Sequence, residues 1–123
     1  MHEITAEPKY LSAEERGRTR ALYQAAFPED TERFVDFYYE YKTRDNQILV
    51  LEQDGQIVSM LHRNPYTMIM NGYEFPADYI VAVATEKAFR HQGCMRKLLE
   101  KALNDMADQG MPFTFLMPAS ESI

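Results

Sequence analysis

Residues 79–106 read YIVAVATEKAFRHQGCMRKLLEKALNDM, and the hydrophobic period changes halfway along them. Residues 79–83 are almost continuously apolar, as in a strand covered on both faces. From Gly93 the spacing becomes helical. Met95, Leu98, Leu99, Ala102, Leu103 and Met106 form one stripe, and Arg96, Lys97, Glu100, Lys101, Asp105 and Asp108 fill the other side. Gly110 suits a helix C-terminus, Pro112 prevents continuation, and residues 113–117 read as a short buried strand. Strand, loop, helix, strand predicts a right-handed crossover with the helix over residues 93–109. A crossover helix must cover a sheet, so the chain is committed to an α/β or α+β structure.

Upstream, the period is first helical and then alternating. Ser12 and Glu15 form a capping box that predicts a helix over residues 13–27, ending before Pro28. A second helix is predicted from Asp30 or Thr31, with Phe34, Phe37, Tyr38 and Tyr41 on one face. Residues 48–53, 56–62, 66–70 and 73–85 read as strands. Asp54-Gly55 and Asn71-Gly72 sit between them as hairpin turns, and Pro76 is placed at an edge or bulge. The sheet is therefore expected to be mixed and mostly antiparallel.

A length of 123 residues fits one domain. The net charge of -6 argues against nucleic-acid binding, which needs Lys and Arg against phosphate, and it suits a cationic acceptor. The single cysteine, Cys94, excludes a disulfide within the chain and a CxxC metal or redox site. Three scattered histidines have no zinc spacing, so no metal is expected. The opening MHEITAEPKY lacks the apolar core of a secretion signal, and no run approaches a membrane span. A cytoplasmic protein without membrane partners is expected.

The loop between strand and helix carries Arg90, His91, Gln92 and Gly93. A helix start offers free backbone N–H groups and the positive end of the dipole, which together bind phosphate. Gly93 lets a ligand approach the backbone, and Arg90, His91 and Arg96 add donors. The loop is suited to a pyrophosphate, although RHQG is neither a Walker loop nor GxGxxG. The plainer reading is that Gly93 only eases a tight turn, with Arg90 solvated.

Val83-Ala84-Thr85, followed by Arg90 and Gly93, resembles the acetyl-CoA signature of GNAT-type N-acetyltransferases. The order of two helices and antiparallel hairpins is similar to that family too. FLMPASESI, residues 115–123, more narrowly resembles the enhanced-intracellular-survival branch. That branch contains multi-domain acetyltransferases, several of which modify aminoglycosides or other polyamine-like amines. The resemblance implies one GNAT-like domain over residues 1–123, with a βαβ acetyl-CoA-binding unit and without the final helix and strands.

By the same resemblance, backbone groups of Val83, Ala84 and Thr85 pair with the pantetheine arm of acetyl-CoA. The N–H groups of His91, Gln92, Gly93, Cys94, Met95 and Arg96 hold its pyrophosphate, with Arg90 and Arg96 alongside. Ser120 and Glu121 match a further cofactor-side segment. Met95 stands where the family usually has Gly or Ala, and Lys87 where proline is frequent. The branch's general-acid tyrosine would follow Ile123, and its base comes from a distant C-terminal carboxylate. The chain is therefore expected to be part of a longer enzyme, to be inactive in this truncated form, and to associate through an exposed sheet edge or be unstable unless that edge is covered.

The implied reaction is acetyl transfer to a primary amine, of a small molecule or a protein, and the amine must lose a proton. Asp78, His62 and Glu74 are candidate acceptors, set against the commoner state of a solvated or paired side chain. Cys94 at a helix start has the position of a nucleophile, but only His91 is near it in sequence. The Phe34, Phe37, Tyr38 and Tyr41 stripe is expected to face the core, with the phenols at the rim of an acceptor pocket. Met60, Met68, Met70, Met111 and Met117 are expected as core filler. The alternative to an enzyme is a non-catalytic acyl-CoA-binding or regulatory module. A third reading is a structural domain with an empty loop.

Overall fold

The computed structural model describes residues 4–111 and the backbone of Thr114–Leu116. The expectations for Met117, Ser120 and Glu121 fall outside the described residues. Five strands, β1 (Lys9–Tyr10), β2 (Gln47–Gln53), β3 (Gln56–Met70), β4 (Tyr73–Thr85) and β5 (Thr114–Leu116), form one sheet in chain order. The first four are antiparallel neighbours, and β5 lies parallel to β4. Both hairpin turns form as the dipeptides require. Asp54 and Gly55 have φ of 55° and 79°, and Asn71 and Gly72 have 52° and 82°. Positive φ at both central residues matches the right-handed twist of the flanking strands.

The helices are α1 (Arg20–Ala26), α2 (Glu32–Tyr41) and α3 (Cys94–Asp108). Leu22 and Tyr23 of α1 and Val35 and Tyr38 of α2 cover one face of the sheet, against Ile48, Val50, Met60 and Ala84. Leu98, Ala102 and Met106 of α3 cover the other, against Leu49, Leu51, Leu61, Ile80 and Val83. The crossover places α3 between two parallel strands, as its sequence order demands.

Four expectations need correction. Residues 13–19 form a 3-10 turn instead of α-helix. Gly17 lies inside it, and glycine is a poor helix former. Glu15 still reaches back to the Ser12 N–H at 3.5 Å and hydroxyl at 3.1 Å. The strands expected at 56–62 and 66–70 are one continuous β3. Pro65 is tolerated within it because β2 ends at the Gln47–Arg63 pair, so no strand on that side needs its missing N–H.

Of the α2 stripe, only Tyr38 faces the core. Val35 and Tyr38 are buried, while Phe34, Phe37 and Tyr41 are 45%, 47% and 48% exposed. Met70, expected as filler, is 47% exposed at a hairpin end. It lies beyond the part of the sheet that the helices cover.

Candidate functional site

The end of β4 departs from a regular ladder. Met60 pairs with Ala84 and His62 with Val81, so β4 carries one residue more than β3 across this step. Ala82, within that step, has φ of 54°. A bulge of this kind bends its strand and redirects the backbone groups that follow. Ser59 braces the far side: its Oγ donates to Ala84 O at 3.1 Å and lies 2.8 Å from Thr85 Oγ1. β5 pairs only with Asp78, Tyr79 and Ile80. Among the described residues, positions 81–85 therefore have β3 on one side and no strand on the other. Val83 and Ala84 bury their side chains, which leaves backbone as what this edge presents.

A short 3-10 turn, Lys87–Phe89, leads from β4 to α3. His91 takes φ of 65° and Gly93 of 80°, and the helix begins at Cys94. Lys97 N–H is the first to find a carbonyl, Gly93 O at 3.1 Å. The N–H groups of Cys94, Met95 and Arg96 precede it, and no side chain caps them. A Cβ built on Gly93 would meet nothing within 4 Å, so the glycine is required by its φ, and the space beside it is open. Arg90 donates from Nε to Thr85 O at 3.3 Å and thereby joins the loop to the end of β4. Gln92 donates to Ala88 O at 3.5 Å. Arg96 projects into solvent and pairs with Glu100 at 3.2 Å. Donors and open space together fit an anionic, extended ligand.

The sequence places Cys94 at this site, but the structure turns its side chain away. Cys94 is buried beneath α3, with Sγ 3.6 Å from Phe89 O, and burial pushes its thiol up. A protonated core thiol is a poor nucleophile.

None of the three candidate proton acceptors is poised either. Asp78 is buried and accepts from Arg63 Nε at 2.5 Å. Arg63 is itself buried, donating to Tyr10 Oη at 2.7 Å and Gln109 Oε1 at 2.8 Å. Tyr10 in turn donates to Asp105 Oδ2 at 2.6 Å. Burial, followed by the Asp105 contact, pushes the Tyr10 phenol up to about 12.

His62 lies beside the bulge, fully buried, with Nδ1 2.7 Å from Tyr38 Oη. Burial first, and the charge of Arg16 second, push its pKa down to about 3. Such an imidazole is neutral at pH 7 and too weak a base to hold the proton of an ammonium group. Glu74 is exposed near the start of β4, whereas the loop follows its end at Thr85. That separation is roughly 35 Å along an extended strand.

Sequence reasoning found the loop and missed the bulge, its Ser59 brace and the Arg63 cluster. Val-Ala-Val carries no glycine to mark a bulge, and a lone Arg in a strand carries no sign of its depth. Among the described residues no group of three or more His, Cys, Asp or Glu could hold a metal, and no helix is long and apolar enough to cross a membrane.

Solved structures share this fold. A probable N-acyltransferase from Enterococcus faecalis V583 superposes with a TM-score of 0.84 at 24% identity, over 94% of this chain and 30% of that one. A predicted acetyltransferase from Clostridium acetobutylicum, solved with acetyl-CoA, gives 0.79 at 11% identity, over 96% and 84%. Glucosamine-6-phosphate N-acetyltransferase from Arabidopsis thaliana gives 0.71 at 18%, over 95% and 84%. The chain thus spans about a third of the length of the Enterococcus protein. No curated protein matches it. Residues 7–123 match the family model described as an acetyltransferase (GNAT) domain, and the chain belongs to that family.

Proposed function

We propose that this chain is the acetyl-CoA-binding domain of an N-acetyltransferase that acts on a primary amine in the cytoplasm. The observation that carries the reading is the uncapped start of α3 lying next to a bulged β4 end with an open backbone edge. Backbone of Val83, Ala84 and Thr85 pairs with the pantetheine arm. The N–H groups of residues 91–96 receive the pyrophosphate, and Arg90 adds charge from the loop. Arg96 reaches the same anion by leaving Glu100. Ser120 and Glu121 complete the cofactor side. The enhanced-intracellular-survival branch is the proposed subfamily, with polyamine-like or aminoglycoside amines as acceptors. The -6 charge favours such cations at the surface.

Acetyl-CoA supplies the thioester. The amine nitrogen bonds to the acetyl carbon, the C–S bond breaks, the amine proton leaves and the thiolate gains one. A backbone N–H of the β4 edge can stabilise charge on the carbonyl oxygen. Incubating the chain with acetyl-CoA and a panel of polyamines and aminoglycosides, with thiol release as readout, tests the reading. Release that depends on the amine supports it. Absence of release from a longer chain that binds acetyl-CoA contradicts it. That second outcome fits an acyl-CoA-binding module, which the commitment of Asp78 to Arg63 and the neutral His62 favour.

A further inference from the structure

The β3–β4 hairpin outruns the rest of the sheet. β2 stops at the Gln47–Arg63 pair, and β5 pairs no farther out than Asp78. Beyond these, five cross-strand pairs, from Tyr66–Ala77 to Met70–Tyr73, extend as a two-stranded ribbon among the described residues. Its length is about 15 Å. A two-stranded ribbon is marginal in water without a covering layer.

Side chains alternate between its faces. Tyr66, Met68, Met70, Tyr73 and Phe75 share one, and Thr67, Ile69, Glu74 and Pro76 share the other. The first face is apolar yet open: Tyr66, Met70 and Tyr73 are 54%, 47% and 75% exposed. Glu74 is the only charged residue between Asn64 and Ala77. Projecting strands are normally protected from association by charges, lysine above all. This ribbon lacks that protection in a chain in which 26% of residues are charged.

We infer that the ribbon is a self-association surface, on which two copies of this chain stack their Tyr66, Met70 and Tyr73 faces about a two-fold axis. The occupant follows from area and charge. The exposed apolar area is on the order of 500 Å² per copy, so a symmetric stack buries roughly 1,000 Å², the lower bound for a specific interface. A face with no charge of its own is complementary to itself, and a two-fold axis closes the assembly at two copies. The predicted dimer is weak and concentration-dependent.

Sedimentation velocity over about 1–200 µM tests this. The expected result is a shift from monomer towards twice the mass as concentration rises. Tyr73→Lys should weaken association at least tenfold, and the milder Tyr73→Ser should weaken it less. Leu103→Lys, at an exposed apolar position on α3, should leave it unchanged. Circular dichroism confirms that each variant is folded, and the serine variant serves if the lysine variant is not. A wild-type chain that stays monomeric throughout overturns the inference. So does a dimer that survives substitution at Tyr73, or one that Leu103→Lys dissolves equally.

Discussion

The two ends of α3 handle polar groups in opposite ways. At its C-terminal end, Asp105 and Gln109 join Tyr10 and the buried Arg63 and Asp78 in a cluster in which every hydrogen bond named is made to another protein group. At its N-terminal end, the N–H groups of Cys94, Met95 and Arg96 have no side-chain cap, and the space beside Gly93 is open. Both ends sit on the same sheet and are held by the same apolar stripe. Polar groups satisfied internally fix position, whereas polar groups left at a helix start, beside open space, are available to a ligand.

The largest expected effect is at the closed end. Arg63→Met removes the guanidinium and leaves Asp78 buried without its Arg63 hydrogen bond. A loss of about 3–5 kcal/mol in urea unfolding is expected, because breaking one side of a buried pair strands the other charge. Acetyl-CoA affinity of the folded protein should not change. A loss below about 1 kcal/mol would mean that the cluster is solvated and that the contrast is false.

Next comes pH. Burial holds the folded His62 pKa at about 3, below the ordinary histidine value of 6.5. The unfolded chain therefore binds the extra proton between these values, and acid favours unfolding. Stability is complete above about pH 6.5 and falls on acidification towards pH 3 by about 1.4 kcal/mol per pH unit. His62→Gln should flatten that slope between pH 4.5 and 6.5 in denaturant titrations. An unchanged slope would place the acid sensitivity elsewhere.

How much of this contrast the sequence discloses depends on how local each cause is. The hairpin turns are legible because Asp-Gly and Asn-Gly state a backbone requirement within two residues. The crossover and the open helix start are legible for the same reason, at Gly93. The α2 face is not. Helical spacing says that Phe34, Phe37, Tyr38 and Tyr41 are neighbours, but not which side meets the sheet. Tyr38 reaches His62 on β3, and Val35 turns inward with it. The bulge at Ala82 and the burial of Arg63 arise from register between distant strands, and no short window records them.

Smaller effects belong to the open end. Arg90→Ala should weaken acetyl-CoA binding about tenfold, or about 1.4 kcal/mol by calorimetry. Because Arg90 is exposed, stability should move by less than about 0.5 kcal/mol. Unchanged affinity would remove Arg90 from the pyrophosphate site. The smallest effect is expected for Ala82→Gly. Relief of the positive φ is partly cancelled by chain entropy, so a gain of up to about 1 kcal/mol in unfolding free energy is expected. A loss would mean that the alanine methyl contributes more to packing than its φ costs.

The most direct test of the contrast is amide hydrogen exchange with and without acetyl-CoA. Added acetyl-CoA should slow exchange at residues 81–85 and 91–96 and leave residues 105–109 as they were. Protection at residues 105–109, or binding without any at residues 91–96, would contradict the assignment of the open end of α3 as the ligand site.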